Sequence, residues 1–214
     1  MILLKNEWEV KPIDLKMATA FVEEWHYAHG AGNVAQFRYG LFYKGDSHTL
    51  HGVAMWNPPP AGAAKAYCVD SYHQGVLALT RFCLRDDRPD NSGSFLISKS
   101  IKDIKHTRYN MLLTYADTAE NHNGGLYRAA NWNYKGLSKK NPRYEDPITG
   151  RMVSKKSGKH NYSRQDMLDK GYTFKGNYAR HIFIYPFSRK RISNLSVGKQ
   201  FDLFFNSKGK IVLK

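Results

Sequence analysis

The chain has 214 residues, 42% of them hydrophobic, enough for a packed core and too many for a disordered polymer. Its 33 Lys and Arg outnumber 18 Asp and Glu, a formal net charge of +15. No run approaches the ~18 consecutive apolar residues of a membrane span, and the start, MILLKNEWEV, has an early acid and no small-residue cleavage site, so neither a membrane protein nor a secreted one is expected.

The charge is unevenly placed. Residues 1–127 hold 13 Lys and Arg and 13 Asp and Glu, whereas residues 128–214 hold 20 and 5. A neutral part joined to a strongly basic part points to a folded core beside a polyanion-binding surface, with nucleic acid the leading partner. Cys68 and Cys83 form no CxxC pair and sit in apolar contexts. They read as buried free thiols of a cytosolic protein.

In chain order, VKPIDLKMATAFVEEWHYAHG predicts a helix. Asp14 is its N-cap, Leu15, Ala18, Val22 and Trp25 form one face, and Gly30 and Gly32 end it. QFRYGLFYKGDSHTLHGVAMWN predicts a hairpin, and NPPPAG a rigid break. GVLALTRFCL reads as a strand and RDDRPDNSGS as a polar loop. FLISKSIKDIK then reads as a helix with Phe95, Ile97, Ile101 and Ile104 inward, and YNMLLTYAD as a second strand. After TAENHNGG a short helix-like segment carries Tyr127 and Trp132. Residues 135–170, rich in Lys, Gly, Ser and Pro, read as a long basic loop excursion. ARHIFIYPF is a strand, and residues 188–214 end in a basic hairpin. The sum is one α/β domain over residues 1–214 with a mixed sheet.

Four groups could carry chemistry. Ser94 is expected to cap the helix that follows it, with Gly93 allowing a tight turn; that helix start would suit an anion, or it could be a cap alone. Arg81, inside an apolar run, needs a partner if buried. Asp117, at the carboxyl end of the other long strand, is the natural candidate, either as a brace of the sheet or in a cleft where Arg81 orients a donor and Asp117 accepts a proton. His26 and Tyr27 lie at a helix end, where a His often complements the helix dipole. They are also candidates for acid–base work or for a metal, with iron favoured over structural zinc. Trp132, Tyr134, Tyr144, Tyr162 and Tyr172 alternate with cations, a composition that stacks bases and holds phosphates. Lys139, Lys140, Arg143, Lys155, Lys156 and Lys159 are the expected nucleic-acid contacts.

The pieces WHY, LTRF…NSGSFL, YAD…GGLYRAANW and RHIFIYPF, within residues 15–187, give the chain a further meaning. In that order they resemble the GNAT acyltransferase fold and, within it, the Mom DNA-modification proteins of Mu-like phages. The resemblance implies a mostly antiparallel sheet flanked by helices, and conversion of adenine in DNA to a carbamoylmethyl derivative that shields phage DNA from restriction. It implies site residues His26, Tyr27, Arg81, Ser94, Asp117 and Tyr127, and a phage- or prophage-encoded protein in the bacterial cytoplasm. Double-stranded DNA is the implied substrate, with tRNA and a second copy of the chain as further candidate partners. The family has been linked to acetyl-CoA and to bound iron. RDDRPDNSGS, with one glycine and three aspartates, departs from the glycine-rich pyrophosphate loop of acetyl-CoA enzymes. A glycyl donor such as glycyl-tRNA would supply the product's nitrogen directly. Two rival readings stand beside this one: an acyltransferase acting on a protein or small-molecule amine, and a non-enzymatic DNA-binding module.

Overall fold

The computed structural model describes residues 2–29, 35–67, 75–157, 160–187, 203–205 and 211–213. Along it run β1 (Trp8–Pro12), α1 (Leu15–Trp25), β2 (Phe37–Tyr43), β3 (Asp46–Asn57), α2 (Ala61–Lys65), β4 (Val76–Leu84), α3 (Ser92–Ile104) and β5 (Met111–Asp117). There follow α4 (Gly125–Ala129), β6 (Asn133–Leu137), β7 (Asn141–Glu145), β8 (Met152–Ser154), β9 (Lys156–Ser157), β10 (His160–Asn161), α5 (Arg164–Asp169), β11 (Thr173–Tyr178), β12 (Arg180–Pro186), β13 (Leu203–Phe205) and β14 (Ile211–Leu213). The chain forms two compact units. One joins Met1–Thr114, Leu126–Asn133 and Phe183–Lys214; the other joins Tyr115–Gly125 and Tyr134–Ile182.

In the first unit β1, β2, β3 and β4 pair antiparallel in that order, and β4 pairs parallel with β5. Parallel neighbours need a crossover, and α3 supplies it. Asp14 caps α1 by accepting from the Met17 amide at 2.7 Å, as its sequence predicts. The helix ends at Trp25, before the expected glycines, because His26 turns to extended backbone (φ −98°, ψ 133°).

Ala18, Phe21 and Val22 of α1 pack with Val53, Met55 and Cys83. On the opposite parity of β3, a Cβ at Gly52 would meet Leu84 at 2.3 Å and Leu96 of α3 at 3.4 Å. Successive strand residues point to opposite faces, so α1 and α3 cover the two sides of the sheet. Phe95, Leu96, Ile97, Ile101 and Ile104 are buried. Each such side chain contributes roughly 1.5–3 kcal/mol when fully buried. The break at NPPPAG runs into a turn of helix, α2, too short for periodicity to reveal.

The second unit holds the basic excursion, which is not a loop. β7 pairs antiparallel with both β8 and β11, in the order β11-β7-β8. Few apolar side chains are needed. Tyr144 and Met167 are buried, Phe174 packs edge-on against Tyr144 at 5.6 Å, and the Arg164 guanidinium lies 4.5 Å over the Phe174 ring. A reciprocal Ser163–Asp166 capping box starts α5. At the C-terminus β13 and β14 pair antiparallel, the hairpin expected there. No helix among the described residues is long and apolar enough to cross a membrane.

Candidate functional site

The first unit brings His26, Tyr27 and Tyr127 together. The His26 ring, 7% exposed, stacks on Tyr27 with centroids 4.3 Å apart. His26 Nδ1 accepts from the Ala28 amide at 3.0 Å, which places the proton of a neutral ring on Nε2. The Tyr27 ring is 45% exposed. Burial raises the Tyr127 pKa, a hydrogen bond with Thr114 opposes that rise, and Tyr27 adds to it. The two phenols are therefore in electrostatic reach of each other, and Tyr127 is held protonated. Its ring packs against Phe183 at 5.3 Å and Trp132 at 5.7 Å. Trp132 in turn stacks on Trp56, and both indole Nε1–H groups are buried without a hydrogen-bond partner among the described residues.

The start of α3 lies against the segment carrying Tyr127. A Cβ at Gly93 would meet Leu126 at 2.9 Å, so glycine sets this approach. The helix begins at Ser92, with Asn91 as N-cap in the left-handed region (φ 69°) and no side chain capping the first amides. Ser94, expected to be the cap, is the third helical residue and donates back to the Asn91 carbonyl at 3.0 Å. Two serines in one short segment hid the true start. An uncapped helix start favours an anion or a carbonyl oxygen. The acids of the preceding loop are partly neutralised. Arg85 donates twice to Asp87, at 3.0 and 2.8 Å, which lowers the Asp87 pKa, and Arg88 approaches Asp86 at 3.9 Å.

Arg81 is half-buried on β4, and its Nη1 donates to the Thr80 carbonyl at 2.8 Å. A register irregularity shifts the pairing there, from Met55↔Arg81 to Trp56↔Leu79. Pairing of β4 with β5 covers Val76↔Met111 to Ala78↔Leu113. Past it, Thr114 Oγ1 donates to the Leu79 carbonyl at 3.4 Å. Cys83 is buried, and desolvation pushes its thiol up to about 12. Cys68 lies outside the described residues.

In the second unit Asp117 is buried, and its Oδ2 accepts from Arg143 Nη2 and, at 3.1 Å, from Arg180 Nε. Its Oδ1 accepts from the Ala119 amide at 3.1 Å. Three of the about four lone pairs of a carboxylate are thus engaged. The arginines that hold Asp117 lie 26 and 63 residues further along the chain. In the sequence Arg143 reads as a surface contact; nothing local marks Arg143 or Arg180 as partners of Asp117.

Of the other expected nucleic-acid contacts, Lys139, Lys140 and Lys156 are exposed, Lys155 is half-buried, and Lys159 lies outside the described residues. Among the aromatics of that stretch, Trp132 and Tyr144 are buried. Tyr134 is 40% exposed, with its hydroxyl 3.0 Å from His181 Nδ1. Tyr162 and Tyr172 are half-buried. Among the described residues no group of three or more His, Cys, Asp or Glu side chains is placed to hold a metal ion. Among the described residues His26 and Tyr27 do not gather the further His, Cys, Asp or Glu ligands an iron site needs.

The Mom protein family model matches residues 7–201. The chain is similar to the methylcarbamoylase mom of Escherichia phage Mu, at 26% identity over 201 residues that cover 88% of this chain and 80% of that one. In fold it is similar to the Salmonella typhimurium acetyltransferase yncA, solved with acetyl-CoA (TM-score 0.53, 8% identity, 89% of this chain and 100% of that one). It is also similar to the ribosomal-protein-S18-alanine N-acetyltransferase of Escherichia coli (TM-score 0.51, 11% identity, 89% and 99%). A GCN5-related N-acetyltransferase from Kribbella flavida aligns with a TM-score of 0.52 at 9% identity (86% and 100%). The mostly antiparallel sheet flanked by helices is thus the acyltransferase fold.

Proposed function

Because the chain belongs to the Mom protein family, we propose that it is a DNA-modifying transferase that converts adenine to N6-carbamoylmethyladenine with glycyl-tRNA as donor. The observation that carries this reading is the extent of the family match. It runs through both units, and so takes in the tyrosine pair, the α3 start, the Asp117 cluster and most of the basic residues. The relative from phage Mu is named for the transfer of a methylcarbamoyl group.

The chemistry follows from the product. It carries two carbons and a terminal amide, so its donor must bring nitrogen; a glycyl ester does, and an acetyl thioester does not. The exocyclic amine of adenine attacks the ester carbonyl, a C–N bond forms, and the bond to the ribose oxygen breaks. Tyr127, kept protonated by burial, gives its proton to that oxygen and regains one from the amine. The freed glycyl amine then attacks the ring carbon through a five-membered transition state. Expulsion of the original nitrogen, with one proton passing to it, leaves a methylene on the new ring nitrogen and a terminal carboxamide. No oxidant or reductant is consumed.

Each unit has a part. In the first, the uncapped α3 start and Arg81 receive the donor's phosphate or carbonyl oxygen, and His26 Nε2–H supplies a further donor. The second unit holds twelve Lys and Arg against six Asp and Glu, a net of +6, and grips the DNA backbone. Asp117 keeps Arg143 and Arg180 in place.

Purified protein, plasmid DNA and doubly labelled glycyl-tRNA test the reading by mass spectrometry of the digested nucleosides. Carbon and nitrogen label together in one adenosine species is expected. Label arriving only from acetyl-CoA would replace the donor, and label on protein with none on DNA would favour the protein-acylating alternative.

A further inference from the structure

The loop joining β7 to β8 presents an apolar side chain where turn chemistry asks for none. Ile148 is 92% exposed, the highest value for a large hydrophobic residue among those described. An isolated exposed Ile is ordinary on many surfaces; this one is held out on a fixed support. Asp146 Oδ1 accepts from the Ile148 and Thr149 amides, both at 2.9 Å. The Gly150 amide donates to the Asp146 carbonyl at 2.8 Å, and the Asp146 amide donates to the Arg151 carbonyl at 2.9 Å. Gly150 sits at φ +68°, which glycine adopts without steric cost, and the Pro147 ring fixes one more backbone angle. Asp, Pro and Gly each have a reason to be in this turn. Ile148 has none from the turn itself, since β-branched residues are poor turn formers.

Its surroundings indicate the partner. Arg151, three residues on and hydrogen-bonded through its carbonyl to the Asp146 amide, is exposed. A Cβ at Gly171 would lie 3.7 Å from Pro147, so the end of α5 approaches the base of the tip. An exposed apolar tip with a cation in the same turn, on a unit with a net charge of +6, matches the base stack and phosphates of a nucleic acid better than an apolar protein groove. The strand that carries the tip is also tied to the unit's interior, because Arg143 of β7 binds Asp117. At ~3.3 Å per residue the tip stands at most about 17 Å along the chain from Arg143, or about five base steps of 3.4 Å.

We infer that Ile148, at the tip of the β7–β8 hairpin, is the wedge that enters the base stack of duplex DNA while the target adenine is rotated out. Side chains of this kind unstack a step and hold the gap open, and the cations beside them hold the deformed backbone. The inference rests on the DNA-modifying reading above. It adds the residue that gains access to a paired base, and it implies that single-stranded DNA needs no such residue.

The full chain is titrated against a duplex carrying 2-aminopurine at adenine positions, whose fluorescence rises on unstacking, and against the same strand alone. The variants are Ile148→Ala, Ile148→Met, which keeps an apolar wedge, and Ile2→Ala, which removes another exposed Ile (65%) as a control. The wild type and Ile2→Ala should raise the duplex signal. Ile148→Ala should reduce that rise and duplex modification by about tenfold and keep single-strand affinity within about twofold. Ile148→Met should retain most of both. Equal unstacking by Ile148→Ala and wild type, with the wild type modifying duplex DNA, overturns the wedge and leaves the proposed function standing. A wild type that neither unstacks nor modifies DNA overturns both.

Discussion

Replacing Asp117 by Asn removes one charge from a cluster whose other members stay in place. The Asp117 side chain is 7% exposed, that of Arg143 13% and that of Arg180 48%. Without the carboxylate charge, the Arg143 guanidinium remains largely out of water beside a neutral amide. Breaking a buried pair from one side costs about 3–5 kcal/mol; because Arg180 reaches solvent and can turn outward, the low end, about 3 kcal/mol, is expected. Removing Arg180 alone should cost no more than about 1 kcal/mol, the range of exposed pairs. Arg143→Gln should fall near Asp117→Asn, and the double variant should cost about 1.5 kcal/mol less than the sum of the two. Urea unfolding followed by circular dichroism reads these as shifts in midpoint at constant slope. For a chain of this length 3 kcal/mol corresponds to a fall in Tm of about 6–12 °C. Equal effects of Arg143→Gln and Arg180→Ala, or additive losses in the double variant, would refute the buried-pair reasoning. Activity lost in an Asp117 variant has to be compared at equal folded fraction before it counts as catalytic.

Four further outcomes follow from particular residues. With its pKa near 12 against 9.0 unperturbed, the Cys83 thiol should react with iodoacetamide at pH 8 roughly a thousandfold more slowly than in urea, measured in a Cys68→Ser background. Because the folded value is raised, Cys83 stabilises the fold fully below pH 9, and that contribution is lost as pH rises from 9 toward 12; a stability curve flat over this range would contradict it. Gly136→Ala should destabilise by about 1–2 kcal/mol, although its Cβ would meet nothing within 4 Å, because the backbone there sits at φ +97°. Unchanged unfolding would remove the strain argument. Changing exposed Lys139, Lys140 and Lys156 to Gln should weaken binding to all duplex sequences and flatten the plot of log affinity against log salt by about 0.9 for each phosphate no longer neutralised.

Local signals made much of the first unit legible in the sequence. The Asp14 cap, the inward face of α3 and the β2–β3 hairpin are each written in residues within a few positions of one another, and the sheet followed from the apolar runs around Arg81 and before Asp117. What was missed depends on distance along the chain or on dilution. Arg143 and Arg180 meet Asp117 only because strands far apart in sequence are folded together. The basic excursion hid a three-stranded sheet because Tyr144, Met167 and Phe174 are separated by lysines, prolines and glycines that mask the alternation of a strand. The start of α3 was displaced because Asn91 accepts the left-handed backbone that ends the loop. At the site, motif resemblance supplied His26, Tyr27 and Tyr127, and the structure brings these three together; no spacing rule would have paired Tyr27 with Tyr127 across a hundred residues.

The most direct test of DNA modification is mass spectrometry of nucleosides from plasmid DNA recovered from cells expressing the chain, beside a Tyr127→Phe variant expressed and folded to the same level. An adenosine derivative carrying a carbamoylmethyl group, present with the wild type and lost or strongly reduced with the variant, is the predicted result. Unmodified adenosine from cells that contain the folded wild-type protein would contradict the account.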